Sequence, residues 1–242
     1  MLNAARGNRH LLVVADGMGG HAAGGEAAQA VIETAKNLFS RGSRRTDPEL
    51  FLTNLFAGAH ERVSTLDSGR GRSPGSTCVA LYLNGAEAHW GHIGDSRLYH
   101  FRGGQALSRT TDHSLHELNG GRRSAGPPDS GGERRRNGIY MRLGGTNPSV
   151  PDLGSSLAMP GDLFLLCSDG YWGPVSDKET EHLIGTDPLS NNGADQLVST
   201  ARRHGGRKGD NIGVALAQWL PATRPGRSGL RSLFSVRPGR EL

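Results

Sequence analysis

Long apolar runs are the first thing this 242-residue chain lacks. Its longest are about five residues, against the roughly 20 that cross a bilayer, so a membrane-spanning helix is excluded. Aromatic residues are sparse at 5%, and there are two cysteines, Cys78 and Cys167. Both fall in strand-like stretches, STCVALYL and LFLLCSDG, so they read as reduced core thiols of a cytoplasmic protein. No histidine or cysteine cluster suggests zinc. The first ten residues, MLNAARGNRH, contain no acid. The LLVVA that follows Arg6 and Arg9 is too short for a secretory signal. No internal repeat is present.

What is there suits one domain with a sizeable core. The 37 glycines mark it as rich in loops, and the net charge is +5. Much of that charge lies in Pro221–Leu242, which holds Arg224, Arg227, Arg231, Arg237 and Arg240 against one acid, Glu241. The division expected is therefore a domain over 1–220 and a solvated, disordered tail over 221–242. A nucleic-acid partner is not expected, and the chain reads as a monomer.

LLVVA is a buried strand by composition. From Glu26 to Phe39 apolar residues recur at helix spacing. Asp47-Pro48 opens a second helix as N-cap and first helical residue, with Leu52, Leu55, Phe56, Ala59 and Val63 on one face. After Pro74 the pattern changes to strands: STCVALYL, a turn at Asn84-Gly85, EAHWGHIG, SRLYHFR, a turn at Gly103-Gly104. Asp112 to Asn137 is rich in Gly, Pro and Arg, and reads as an irregular insert. A strand over 162–167 follows, then a capping box at Ser176–Glu179, a helix over 194–204 stopped by Gly205, and a last strand over 211–219. Helices that are grouped rather than alternating with strands argue an α+β fold over a parallel doubly wound sheet.

Four aspartates stand at the edges of apolar strands with glycine nearby: Asp16, Asp95, Asp169 and Asp210. Each alone reads as a turn residue. Four together, converging on one sheet edge, would repel and require a cation, and oxygen donors suit Mg²⁺ or Mn²⁺. A dinucleotide cradle is the rival for ADGMGGHAAG, since Gly17, Gly19 and Ala22 satisfy G-x-G-x-x-A. It fails on the next segment, where helix runs into RGSRRTDPE instead of a second strand ending in an acid.

VVADGMGGHAAGGEAA, SPGSTCVAL, GHIGDSRLYHFR, TTDHSL, MRLGG, PGDLFLLCSDGYW and GDNIGVAL occur in this order, and the set resembles the bacterial metal-dependent serine/threonine protein phosphatases (PPM family, type 2C). The resemblance covers Leu11 to Gln218. It implies a β-sandwich of two antiparallel sheets flanked by helices, with two or three Mn²⁺ or Mg²⁺ ions at one end. Asp16 would bridge two ions, the Gly17 carbonyl would join the second, Asp169 and Asp210 would complete the first, and Asp95 with Asp169 would hold a third. Catalytic roles fall on Asp16, Asp169 and Asp210, with a metal-bridging water as nucleophile on phosphoserine or phosphothreonine. His21 reads as structural, with general acid as the alternative role, and His113 reads as structural. The insert over 115–138 would be a flap beside the site. SDGYW and SDKE are similar to phosphatases of bacterial secretion and signalling systems that oppose a serine/threonine kinase.

The family's upstream strand and R-x-x-N-E-D segment have no counterpart before Leu11. Arg6 and Arg9 do not fit that motif, so the expectation is a missing strand, an exposed sheet edge and one ion short of a ligand. A catalytically impaired phosphoprotein-binding module is the alternative this raises. Gly213 stands where the family favours a β-branched residue.

Overall fold

The structure, a computed structural model, describes residues 1–42, 46–66, 73–119, 138–146, 149–186, 193–206, 209–224 and 227–237, with backbone alone for His21 and for 221–237. Its strands are β1 (Leu2–Arg6), β2 (Arg9–Val14), β3 (Gly17–Met18), β4 (Gly75–Ser76), β5 (Cys78–Asn84), β6 (Glu87–Ile93), β7 (Arg97–Arg102), β8 (Gln105–Arg109), β9 (Asp152–Leu157), β10 (Leu163–Cys167), β11 (Ile212–Arg224) and β12 (Arg227–Arg237). Its helices are α1 (His21–Arg41), α2 (Pro48–Ser64), α3 (Leu115–Leu118), α4 (Asp169–Trp172), α5 (Asp177–Thr186) and α6 (Gly193–Gly205).

Two five-stranded antiparallel sheets form, in the orders β1-β2-β5-β6-β9 and β12-β11-β10-β7-β8, with β3-β4 as a separate short ribbon. The strands alternate faces, and both faces are buried. Leu11 and Val13 of β2, with Cys78, Ala80 and Tyr82 of β5, pack under α1 and α2. Their neighbours Leu12, Val14, Val79, Leu81 and Leu83 meet Leu98, Phe164, Leu166, Ala215 and Ala217 from the other sheet. Leu163, Leu165 and Cys167 of β10, with Val214 and Leu216 of β11, face Leu197, Val198 and Ala201 of α6. This double burial explains why LLVV, CVALYL and LFLLC read as continuous apolar runs. The layers are α-β-β-α, an α+β fold as the sequence pattern predicts.

Local signals behave as expected at several ends. The Asp47 side chain accepts from the Leu50 N–H at 2.8 Å with Pro48 at the first helical position, and Ser176 Oγ accepts from the Glu179 N–H. Cys78 and Cys167 are both buried free thiols. No helix among the described residues is long and apolar enough to cross a membrane.

Two expectations are corrected. The expected missing strand is present: Leu2–Arg6 turns back at Gly7 (φ 66°) and pairs with β2 along its length, so β1 and not β2 forms that edge of the sheet. Arg6 and Arg9 are helix caps: they donate to the carbonyls of Ser40 and Gly42 at the C-terminal end of α1, where cations are favoured. The stretch read as a disordered tail is a strand over Arg227–Arg237, hydrogen-bonded to β11. Alternation within RSGLRSLFSVR was masked by its arginines. Most of the insert expected over 115–138 lies outside the described residues; its described ends are α3 and the Ser114↔Ile139 bridge.

Candidate metal centre

The glycines after Asp16 serve chain packing. A Cβ on Gly17 would lie 1.8 Å from the Gly24 carbonyl oxygen, and one on Gly24 would lie 2.7 Å from the Gly17 carbonyl oxygen. The first turn of α1 therefore rests directly on β3, backbone against backbone, which only glycine allows. Gly20, at φ 97°, sets the entry of that helix. Among the described residues no parallel strand follows it, so the dinucleotide reading has no βαβ unit to occupy.

Asp16 lies just past the end of β2, and its backbone is held by Ser76 of β4 and by Thr77, the residue before β5. The Thr77 N–H donates to the Asp16 carbonyl at 2.8 Å, Ser76 Oγ donates to the same oxygen at 3.0 Å, and the Asp16 N–H donates to Thr77 Oγ1 at 3.2 Å. Thr77 Oγ1 also shares a 2.6 Å hydrogen bond with Ser96 Oγ, the residue after Asp95. Asp95 sits where β6 leaves one sheet and β7 enters the other; the Trp172 indole N–H donates to its carbonyl at 2.8 Å. Trp172 in turn lies under the Arg97 guanidinium, 3.7 Å from its carbon to a ring centroid, and Arg97 grips Asp112 with two hydrogen bonds of 2.9 and 2.7 Å.

Asp169 opens α4 directly after β10. A Cβ on Gly170 would be 2.2 Å from the Asn211 carbonyl oxygen, so α4 and the Asp210–Asn211 segment are pressed together at a second glycine contact. Gly213, a weak strand residue by sequence, has a local use. Its N–H donates to Ser168 Oγ at 3.0 Å, and an added Cβ would sit 3.4 Å from that oxygen.

The four predicted carboxylates act on one another. Burial, then the charge of Asp169, then those of Asp210 and Asp95, push the Asp16 carboxyl well above the usual carboxylate range. Burial and the charges of Asp169 and Asp112 push Asp95 up to about 7. Asp169 is raised by burial and by Asp210, although the Asp16 hydrogen bond and nearby N–H groups pull the other way. Asp169 Oδ1 is buried without a hydrogen-bond partner. Asp210 is exposed, and its Oδ1 accepts from the Asn211 N–H at 2.7 Å. A set of oxygen donors in mutual repulsion, one with an orphaned buried oxygen, fits a hard divalent cation. The side chain of His21 lies outside the described part. Sequence reasoning missed Thr77, Ser96 and Trp172, whose roles depend on contacts between the two sheets.

Residues 3–202 match the family model described as Protein phosphatase 2C. A putative protein phosphatase 2C-type of Streptococcus pyogenes is 31% identical over 216 residues, covering 85% of this chain and 84% of the relative. Among solved structures, serine/threonine phosphatase Stp1 from Staphylococcus aureus superposes with TM-score 0.75 at 28% identity, covering 87% of this chain and 84% of that one. The catalytic domain of serine/threonine protein phosphatase PstP, in complex with two manganese ions, superposes with TM-score 0.69 at 29% identity, covering 89% and 88%.

Proposed function

Because the chain belongs to the protein phosphatase 2C family, we propose that it hydrolyses phosphoserine and phosphothreonine in proteins at the aspartate edge. The observation that carries the reading is the mutual electrostatic influence of Asp16, Asp95, Asp169 and Asp210, with the carboxyls of the first three raised by burial and by neighbouring carboxylates. Asp16, the Gly17 carbonyl, Asp95, Asp169 and Asp210 would hold two or three Mn²⁺ or Mg²⁺ ions. Such ions neutralise phosphoryl oxygens and acidify water at neutral pH.

The chain's own part is to present the donors rigidly and to supply no competing nucleophile. Thr77 and Ser76 fix Asp16, Trp172 fixes Asp95, and the Gly170 contact fixes Asp169 beside Asp210. Burial pushes both cysteine thiols far above their ordinary range, so neither forms the thiolate that a covalent mechanism needs. The attacking group would be a water held by the ions, as the family resemblance implies. In a cell the partner of this activity would be a serine/threonine kinase acting on the same phosphoproteins, in the cytoplasm, with the phosphatase working as a monomer.

Hydrolysis of a phosphothreonine peptide with and without Mn²⁺, beside Asp169→Asn, tests the reading. Turnover that requires Mn²⁺ and falls more than about 100-fold in the variant is the expected result. Folded protein that binds Mn²⁺ and turns nothing over would replace it with the phosphoprotein-binding alternative.

A further inference from the structure

Outside the aspartate edge, a second group of chemically able side chains sits together. His92 of β6, His113 and Asp152 of β9 can each offer a ligand atom within 4.8 Å of the others. Both imidazoles are buried, and their rings stack at 4.6 Å. The sheet register brings Asp152 opposite His92, which places Asp152 Oδ2 3.3 Å from His113 Nε2.

The hydrogen bonds argue against a metal here. The Gly94 N–H donates to His113 Nδ1 at 3.1 Å, and an amide can only donate. His113 Nδ1 is therefore the bare nitrogen, and in the neutral ring the proton is on Nε2, facing Asp152. A cation on Nε2 would have to displace that proton while Nδ1 remained an acceptor, leaving an imidazolate. The arrangement instead suits an orienting pair, with Asp152 favouring the tautomer whose Nδ1 can receive Gly94.

What His113 holds is the turn that carries Asp95. Its N–H donates to the Gly94 carbonyl at 2.9 Å, so the one residue closes on both polar groups of Gly94, which is at φ 96°. The His113 carbonyl accepts from the Tyr140 N–H at 3.0 Å, and the next residues form the Ser114↔Ile139 bridge and the Leu115 N–H to Gly138 carbonyl bond of 2.9 Å. These bonds form the neck of the 115–138 insert. One residue thus links the neck to the residue next to Asp95.

We propose that His113 is a positioning residue for Asp95, acting through its bare Nδ1 on the Gly94–Asp95 turn and tying that turn to the neck of the insert. The inference rests on the reading of Asp95 as an ion ligand. Two measurements test it. Nitrogen NMR of the ion-free wild-type protein labelled at histidine should show His113 with Nδ1 bare and Nε2 protonated; a protonated Nδ1 overturns the proposal without any substitution being made. Calorimetric Mn²⁺ titration then compares three variants. His113→Asn keeps an acceptor near Nδ1, and its weakest-site affinity should stay within about threefold of wild type; His113→Gln and His113→Leu remove that acceptor and should weaken it about tenfold. Wild-type binding with all three variants alike, or a lowered melting temperature with unchanged ion affinity, overturns the inference alone. A wild-type protein that binds no Mn²⁺ overturns the reading of the aspartate edge, and the inference with it.

Discussion

The two ends of β10 carry one aspartate each, and the contrast between them separates structure from function in this molecule. Asp162, just before the strand, is wholly inaccessible. Burial alone would raise its carboxyl, but two bonds from Arg102, the Met159 N–H and His100 outweigh it and bring the group down to about 2. Asp169, just after the strand, meets other carboxylates instead, and one of its oxygens has no partner. Five residues of the same strand thus connect a charge the fold has satisfied to one it has left wanting. A buried polar group without a partner costs stability, so its persistence beside three like charges marks a place where the fold awaits a ligand.

Substitution at each end should break the contrast in opposite directions. Asp169→Asn should abolish most turnover yet raise the melting temperature of the ion-free protein, by about 2–4 °C per kcal/mol of repulsion relieved. Calorimetry in a chelator, paired with the peptide assay, reads both; a variant less stable than the ion-free wild type would contradict the repulsion. Asp162→Asn should do the reverse. It leaves His100 and Arg102 facing a neutral amide and should cost about 2–3 kcal/mol in urea unfolding, with the activity of the folded fraction little changed.

The pH dependence of the ion-free protein sharpens the same comparison. Asp162 has a depressed carboxyl, so its contribution is present above the ordinary carboxylate value and is lost as pH falls from about 4 through about 2. Asp95 is raised, so its neutral form is the one the fold favours; that contribution is complete below about 4 and drains away as pH rises through about 7. Denaturation at a series of pH values in chelator should show stability declining toward neutral pH, with Mg²⁺ reversing the decline. A flat profile between 4 and 8 would contradict the raised carboxyls. The smallest expected effect comes from Trp172→Phe, which keeps a ring under Arg97 but removes the N–H to the Asp95 carbonyl. Turnover should fall about threefold to tenfold, with little change in melting temperature.

Much of this was open to a reader of the sequence, and the reasons are local. LLVV, CVALYL and LFLLC announce strands because apolar residues on both faces need two covered sheets. Asp47-Pro48 announces a helix start because a carboxylate cap and a fixed φ act within four residues. The four aspartates could be picked out because each ends or begins such a run. The tail was misread for an equally local reason: five arginines between 224 and 240 resemble a solvated segment, and only a neighbouring strand with free N–H and C=O groups turns part of it into β12.

The sequence by itself determined the elements, the buried runs, the acidic set and the family pattern, because these depend on side-chain type and near neighbours along the chain. Tertiary structure alone decided that β6 and β7, adjacent in sequence across Gly94 to Ser96, belong to different sheets. It decided that Arg6 and Arg9 cap α1, and that Thr77, Trp172 and His113 hold the turns bearing Asp16 and Asp95. The physical reason is common to all of them: a hydrogen bond depends on distance in space, and these partners are brought together only when the strands pair and the helices and sheets pack.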